Sequence, residues 1–190
     1  NSADLLNNTS EDDLFNAASR RLRQCAATGT GAIEIKSGYG LTLDGELKML
    51  RVIKRLRESY PMVEIKSTFL GAHAVGRAYT GRQDKYVDIL VDELLLAVAA
   101  GGLADYVDVF CDEGFFTVDD TARILSEAAK FGIRGKIHAN ELAVSGGVQV
   151  GVKYGALSVD HLERITDVEI QALAESSTMP TMLPGASFFL

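Results

Sequence analysis

The sequence predicts an α/β fold built on a parallel β-sheet. Six short apolar runs, rich in β-branched residues, alternate with longer amphipathic segments. Continuous apolar character over four to eight residues is typical of strands buried on both faces of a sheet. Regular alternation of strands with helices is typical of parallel βα units. A short repeat, Glu-Ile-Lys-Ser at 34–37 and again at 64–67, adds minor support for such units.

The predicted strands are the six apolar runs at residues 32–36, 63–70, 106–111, 136–139, 156–160 and 178–183. The segments between them have apolar residues at helical spacing. Four of these helices open on a residue type that caps helix N-termini, namely Ser10, Thr117, Ser145 and Thr166. Proline or glycine ends most of them, at Pro61, Gly101, Gly132 and Gly155.

Six strands leave two architectures open. A closed (β/α)8 barrel has eight strands and typically about 250 residues, more than the 190 of this chain. The alternatives are an open doubly wound sheet, or a barrel that lacks its first and last strands. Neither a GxGxxG nor a GxxxxGK[ST] motif follows any strand, which argues against a nucleotide-binding fold.

Charge and hydropathy exclude several classes of partner. The net charge of −7 disfavours nucleic acid and anionic membranes, which select basic surfaces. The longest apolar stretch, residues 94–100, is too short to span a bilayer and predicts a buried helix face. We therefore expect neither a nucleic-acid partner nor membrane insertion.

Cysteine usage and the chain ends point to a cytoplasmic protein that is part of something longer. Cys25 and Cys111 lie in unrelated contexts, so we expect no disulfide framework. No secretory signal opens the chain. The apolar residues 188–190 at its end, and a start without Met, suggest a segment of a longer polypeptide.

All three histidines lie where predicted strands end. His73, His138 and His161 lie at the ends of the second, fourth and fifth predicted strands. In parallel βα folds the active site is formed where strands end and βα loops begin. The sequence therefore predicts that the three histidines face one catalytic mouth.

Other polar residues at these strand ends are weaker candidates. Glu141, three residues after His138, is a possible acid or base, although it could simply be a helix-start residue in the following loop. Tyr39, between two glycines, could project from a sharp turn or be an ordinary surface residue. Cys111 is predicted to be a buried small residue rather than a nucleophile. Residues that could orient a histidine or cap a helix are Asp112, Glu113 and Asp160. Spacing alone indicates a βα hydrolase or lyase and leaves metal dependence open.

Several strand-end motifs resemble the imidazolonepropionase family of the amidohydrolase superfamily. They run in order along the chain: Glu-Ile-Lys-Ser-Gly-Tyr-Gly-Leu at 34–41, Thr-Phe-Leu-Gly-Ala-His-Ala at 68–74, Val-Asp-Val-Phe-Cys at 107–111, Lys-Ile-His-Ala at 136–139, Asp-His-Leu-Glu at 160–163 and Leu-Pro-Gly-Ala at 183–186. The resemblance implies a TIM-type (β/α) barrel joined to a small β-sandwich. Residues 1–190 would then be part of the barrel domain, about six of eight βα units without the first and last strands, and would exclude the sandwich.

The same resemblance implies one divalent metal ion, zinc or iron. His138 matches the ligand on the fifth strand of the barrel. The family's HxH pair and its eighth-strand aspartate have no counterpart among these residues. We therefore expect the chain of residues 1–190 alone to be inactive.

The resemblance also implies a reaction and site residues. The family hydrolyses the cyclic amide of 4-imidazolone-5-propanoate to N-formimidoyl-L-glutamate in histidine degradation, as a homodimer. Tyr39 and His73 match substrate contacts, Glu141 a residue that touches substrate beside the metal ligand, and His161 a residue near the reacting carbonyl. Glu141 and His161 are the implied catalytic residues.

Two departures from the family pattern are visible. Gly76-Arg77 replace a proline pair, and His-Ala-Asn-Glu at 138–141 replaces His-Ala-Asp-Gln. Neither removes a matched site residue. Two alternatives remain: a related amidohydrolase or deaminase acting on another ring, and a barrel fragment or binding module without catalysis.

Overall fold

The computed structural model describes residues 2–189 and contains one six-stranded sheet. Its strands are β1 Ala32–Lys36, β2 Glu64–Ala72, β3 Tyr106–Cys111, β4 Arg134–Ala139, β5 Ser158–His161 and β6 Met179–Thr181. All five pairings are parallel, and the strand order in space is the order in the chain. The six predicted strands are confirmed: β1 and β3 have the predicted ends, and no end of the other four shifts by more than two residues.

The sequential strand order decides between the two architectures. A doubly wound sheet reverses its strand order at a switch point, whereas a barrel adds every strand on the same side. Right-handed crossovers that all run in one direction place every helix on one face of the sheet. The sheet is accordingly a curled half-barrel of βα units, as the resemblance implied.

The helices are α1 Ser2–Asn8, α2 Glu11–Ala27, α3 Leu43–Ser59, α4 Gln83–Ile89, α5 Leu95–Ala100, α6 Val118–Lys130, α7 Gly147–Lys153, α8 Asp167–Ala174 and α9 Pro184–Ser187. A π-helical segment, Leu90–Leu94, joins α4 to α5, and Arg77–Tyr79 form a 3₁₀ turn. Among residues 2–189, no helix combines the length and apolar character needed to cross a membrane.

The predicted caps are largely confirmed. Ser10 accepts a hydrogen bond from the backbone N–H of Asp13, and both Thr117 and Thr166 form capping boxes. Helix α7 begins one residue later than predicted, because Gly146 has φ +83° and takes the capping position in place of Ser145. Ser145 still accepts a hydrogen bond from the N–H of Gly147.

Strand residues that face the helices form the apolar core. A Cβ built at Gly151 of α7 would lie 2.8 Å from Val159 and 3.2 Å from Ile137, so β4 and β5 contact this helix closely. Cys111 is 1% exposed, and burial raises the pKa of its thiol. The prediction that Cys111 is a buried small residue is confirmed.

Candidate active site

The carboxyl ends of β1 to β5 carry a row of rings. Tyr39 lies edge-on to His73 with ring centroids 5.1 Å apart, and Phe110 follows 6.0 Å from His73. His138 is 5.9 Å from Phe110 and 5.1 Å from His161. The three histidines therefore share one mouth, as their placement in the sequence predicted.

The row runs from solvent into the protein. Tyr39 is 50% exposed, whereas His161 is only 7% exposed. A cavity of about 620 Å³ is lined by Tyr39, His73 and His138 together, and it continues along the free edge of β1. A small molecule that enters this cavity from the exposed end meets Tyr39 and His73 before it reaches His138.

His138 is oriented by a fully buried carboxylate. Its Nδ1 lies 3.1 Å from Oδ1 of Asp108, which is 0% exposed. Burial lowers the pKa of His138, but the charge and hydrogen bond of Asp108 outweigh it and raise the pKa above its ordinary value. The contact leaves Nε2 of the ring as the nitrogen available to a ligand.

Lys36 connects this pair to a second carboxylate. Its Nζ donates to Oδ2 of Asp108 at 2.6 Å and to Oδ2 of Asp160 at 3.2 Å. Burial alone would raise the pKa of Asp108, but His138 and Lys36 outweigh it and hold the pKa well below the usual range. Lys36, Asp108 and Asp160 therefore form paired charges at the base of the mouth, the charged floor.

The floor continues across the concave face. Lys136 donates to Glu34 and lies 3.9 Å from Asp160. The hydroxyl of Thr68 donates to Glu34 at 2.5 Å, and that of Ser158 to Asp160 at 2.7 Å. Every carboxylate of the floor thus has a cation or a hydroxyl as partner, as buried charge requires.

His161 is held in an unusual backbone conformation. It has φ +86°, and the next residue, Leu162, has φ +69°. Residues other than glycine rarely adopt such values, and they cluster at functional sites. Nε2 of His161 lies 3.4 Å from Oε2 of Glu141, and Nδ1 lies 3.5 Å from Oε2 of Glu163. Carboxylates thus lie beside both ring nitrogens.

Some residues considered from the sequence have other partners. Asp112 contacts no histidine; it accepts hydrogen bonds from the backbone N–H groups of Glu113, Glu141, Leu142 and Ala143. Asp160 binds Lys36 and Ser158. The carboxylate that contacts His138 is that of Asp108.

Sequence reasoning did not select Lys36, Asp108 or Phe110. A signal was present in the two-residue period of the strands, because Asp108 and Phe110 are two positions apart on β3 and therefore share one face of the sheet. Phe110 pairs with His138 in the register of β3 and β4, and Asp108 with Lys136. Residues of equal parity share a face of the sheet.

The mouth contains candidate donors for the metal ion that the resemblance implies. Nε2 of His138 fits a zinc or iron ligand, since imidazole suits both metals. Asp108, His138 and Asp160 also place one ligand atom each within 4.8 Å of one another. This trio does not suit a dication, because Nζ of Lys36 is already paired with both of its carboxylates, Asp108 and Asp160. His138 alone is therefore the fitting donor among these three.

Comparison with solved structures defines the class by its fold. An adenine deaminase from Arthrobacter aurescens matches all of this chain and 58% of its own, with a TM-score of 0.74 and 16% identity. A 5-methylcytosine deaminase from Klebsiella pneumoniae matches 92% of this chain and 44% of its own, with a TM-score of 0.70 and 11% identity. The six-stranded half-barrel of this chain therefore has the α/β fold of part of these deaminases.

Sequence comparison is more specific and confirms the resemblance drawn from the strand-end motifs. The chain is 50% identical over all 190 residues to an imidazolonepropionase from Christiangramia forsetii, and 45% identical over 180 residues to one from Cupriavidus necator. It spans 46% of the first protein and 43% of the second. No family model matches the chain.

Proposed function

We propose that this chain is the central part of a barrel hydrolase that opens the cyclic amide of 4-imidazolone-5-propanoate to N-formimidoyl-L-glutamate, a step of histidine degradation. The observation that carries the proposal is the row of rings at the mouth, together with 50% identity to an imidazolonepropionase over the whole chain. The β-sandwich, the homodimer and the cytoplasmic location remain predictions for the full-length protein.

His138 would hold a divalent metal ion through Nε2, with further ligands from outside these residues. When bound, such an ion would lower the pKa of its water towards 7 and polarise a carbonyl. Asp108 keeps a proton on Nδ1 of His138 and so leaves the lone pair of Nε2 directed at the mouth. Zinc and iron remain alternatives for the ion.

His161 and Glu141 are the proposed catalytic pair. Attack of water on the ring carbonyl places negative charge on its oxygen, and the buried imidazole of His161 can donate a hydrogen bond there. Opening of the ring needs a proton on the leaving nitrogen. Oε2 of Glu141 lies 3.4 Å from Nε2 of His161. Glu141 can take a proton from the attacking water and transfer it to the leaving nitrogen of the substrate ring.

Tyr39 and His73 are the proposed substrate contacts. Nδ1 of His73 lies 3.0 Å from the carbonyl oxygen of Gly38, so the N–H is on Nδ1 and Nε2 is free to accept a hydrogen bond. Tyr39 lies edge-on beside it and offers a phenol at the exposed end of the row. Together they would hold the substrate ring and its carboxylate arm at the entrance.

A deaminase acting on another ring is the second candidate, favoured by the fold of the two solved neighbours. The experiment is to express the full reading frame that contains this chain and to assay imidazolone propanoate against adenine and 5-methylcytosine. Turnover of imidazolone propanoate is expected. Turnover of a purine or pyrimidine alone would establish the second candidate, and no turnover by a metal-loaded protein would indicate a non-catalytic barrel.

His138→Ala in that full-length protein should abolish both metal binding and turnover. Asp88→Asn, an exposed residue of α4, is the control and should leave both intact. Residues 1–190 alone should show no turnover, because one histidine cannot hold a catalytic metal ion. Normal activity of His138→Ala would refute the ligand assignment.

A further inference from the structure

We propose that two buried carboxylates, Glu46 and Asp112, are positioning residues that each fix one loop of the mouth. Glu46 holds the loop that presents Tyr39, and Asp112 holds the loop that presents Glu141. The inference rests on the proposed function, because it assigns different kinetic effects to the two loops.

Glu46 accepts hydrogen bonds from both sides of Tyr39. Its Oε2 accepts from the N–H of Gly38 at 2.7 Å, and its Oε1 accepts from the N–H groups of Gly40 and Leu41 at 2.8 and 3.0 Å. The Glu46 side chain lies in the first turn of α3 and is 0% exposed. A carboxylate there is favoured by the positive end of the helix dipole.

The loop around Tyr39 needs this anchor because its backbone is unfavourable. Gly38 has φ +106° and Leu41 has φ +54°, and a leucine rarely adopts a positive φ. A Cβ at Gly40 would lie 2.5 Å from the carbonyl carbon of Gly45, so the loop lies directly on the start of α3. Since the carbonyl of Gly38 also contacts His73, the anchor supports both proposed substrate contacts.

Asp112 does the same for the loop after β4. Its Oδ2 accepts from the N–H groups of Glu141 and Leu142 at 2.8 and 3.0 Å, and its Oδ1 accepts from that of Ala143 at 3.2 Å. Asn140, just before them, has φ +56°. Successive N–H groups after such a turn form a concave anion site, and the 4% exposed Asp112 occupies it.

The chemistry of these contacts defines the test. Both oxygens of each carboxylate accept from N–H groups, so an amide of the same shape must turn an NH₂ donor towards at least one N–H. Glu46→Gln and Asp112→Asn therefore preserve volume and remove the anchor. Asp120→Asn is the matched control, because Asp120 also accepts from a backbone N–H, that of Thr117, away from the proposed site residues.

The kinetic prediction is a split between the two loops in the full-length, metal-loaded protein. Glu46→Gln should raise KM for imidazolone propanoate about tenfold with little change in kcat, as loss of ground-state contacts does. Asp112→Asn should lower kcat about 100-fold, because misplacing a proton-transfer group by about 1 Å has that effect. Asp120→Asn should change neither. General destabilisation would not separate KM from kcat in this way.

Amide hydrogen exchange tests the anchors without relying on activity. Glu46→Gln should accelerate exchange at residues 38, 40 and 41, and Asp112→Asn at 141–143, each without effect on the other loop. Unchanged exchange, or normal KM and kcat in both folded variants, would overturn the proposal. If the wild-type protein shows no turnover but the two variants still show loop-specific exchange effects, the proposed function is refuted and the anchoring role of Glu46 and Asp112 stands.

Should either amide variant not fold, Glu46→Asp and Asp112→Glu keep the carboxylate and move it by one methylene. They should show the same division of effects between KM and kcat, and the same loop-specific increase in amide exchange, with smaller changes than the amide variants. Wild-type kinetics and exchange in these folded variants would contradict the positioning role.

Discussion

The two faces of one sheet differ sharply in what they carry. On the convex face, five apolar strand residues packed beneath the helices are at most 1% exposed: Ile65, Val107, Val109, Ile137 and Val159. On the concave face, residues at alternate positions of the same strands form the charged floor: Glu34, Lys36, Asp108, Lys136 and Asp160. The convex face stabilises the fold through apolar burial. The concave face holds charges that orient His138 at the mouth and that destabilise the protein if one partner of a pair is removed.

The largest effect is expected from breaking the floor. Asp108→Ala leaves the ammonium of Lys36 without its nearest carboxylate, and breaking a buried ion pair typically destabilises a protein by about 3–5 kcal/mol. Chemical denaturation of the metal-free full-length protein should show this loss. Metal affinity should fall about 10- to 100-fold as well, since His138 loses the partner of Nδ1.

A double variant separates these two effects. Asp108→Leu with Lys36→Met replaces buried charge by apolar volume, which is often neutral for stability. It should recover most of the stability lost in Asp108→Leu alone, while metal affinity stays low. Full recovery of metal affinity would show that Asp108 does not orient His138.

On the convex face, a smaller and purely structural effect is expected. Gly151→Val places a side chain where a Cβ already approaches Val159 to 2.8 Å. Overpacking of this kind costs about 1–3 kcal/mol. Denaturation should show the loss, with KM and kcat unchanged in the fraction that remains folded. A kinetic effect as large as the change in stability would contradict the separation of the two faces.

The difference between the faces also explains what the sequence could reveal. Apolar runs, caps and glycine stops mark the convex face and the helix boundaries, and these predict all six strands. Histidines stand out at strand ends, and their shared mouth follows from parallel topology. Asp108 and Lys36 were not selected, because a charged residue inside an apolar run shows its value only through partners 72 residues away. The loop anchors Glu46 and Asp112 resemble ordinary helix-start and loop residues until their hydrogen bonds are known.

A further prediction concerns acid. The folded pKa of Asp108 lies below its unfolded value of about 3.9, so its contribution to stability is present above that value and is lost as the pH falls below it. One proton changes stability by at most about 1.4 kcal/mol per pH unit. Between pH 5 and 3, the free energy of unfolding of the metal-free protein should fall less steeply in Asp108→Asn than in wild type. Equal slopes would mean that another group carries the acid dependence.

The smallest effect is expected at an ion pair with similar geometry outside the sheet. Arg123 donates to Asp88 at 2.7 Å, nearly the distance between Lys36 and Asp108, but both partners are well exposed to solvent. Solvent screens such a pair, and its side chains lose rotamer entropy when they meet. Asp88→Asn should therefore leave the denaturation midpoint unchanged within error at 150 mM salt. A loss comparable to that of Asp108→Ala would show that distance rather than burial governs the strength of ion pairs in this protein, and the distinction between the charged floor and the surface would no longer hold.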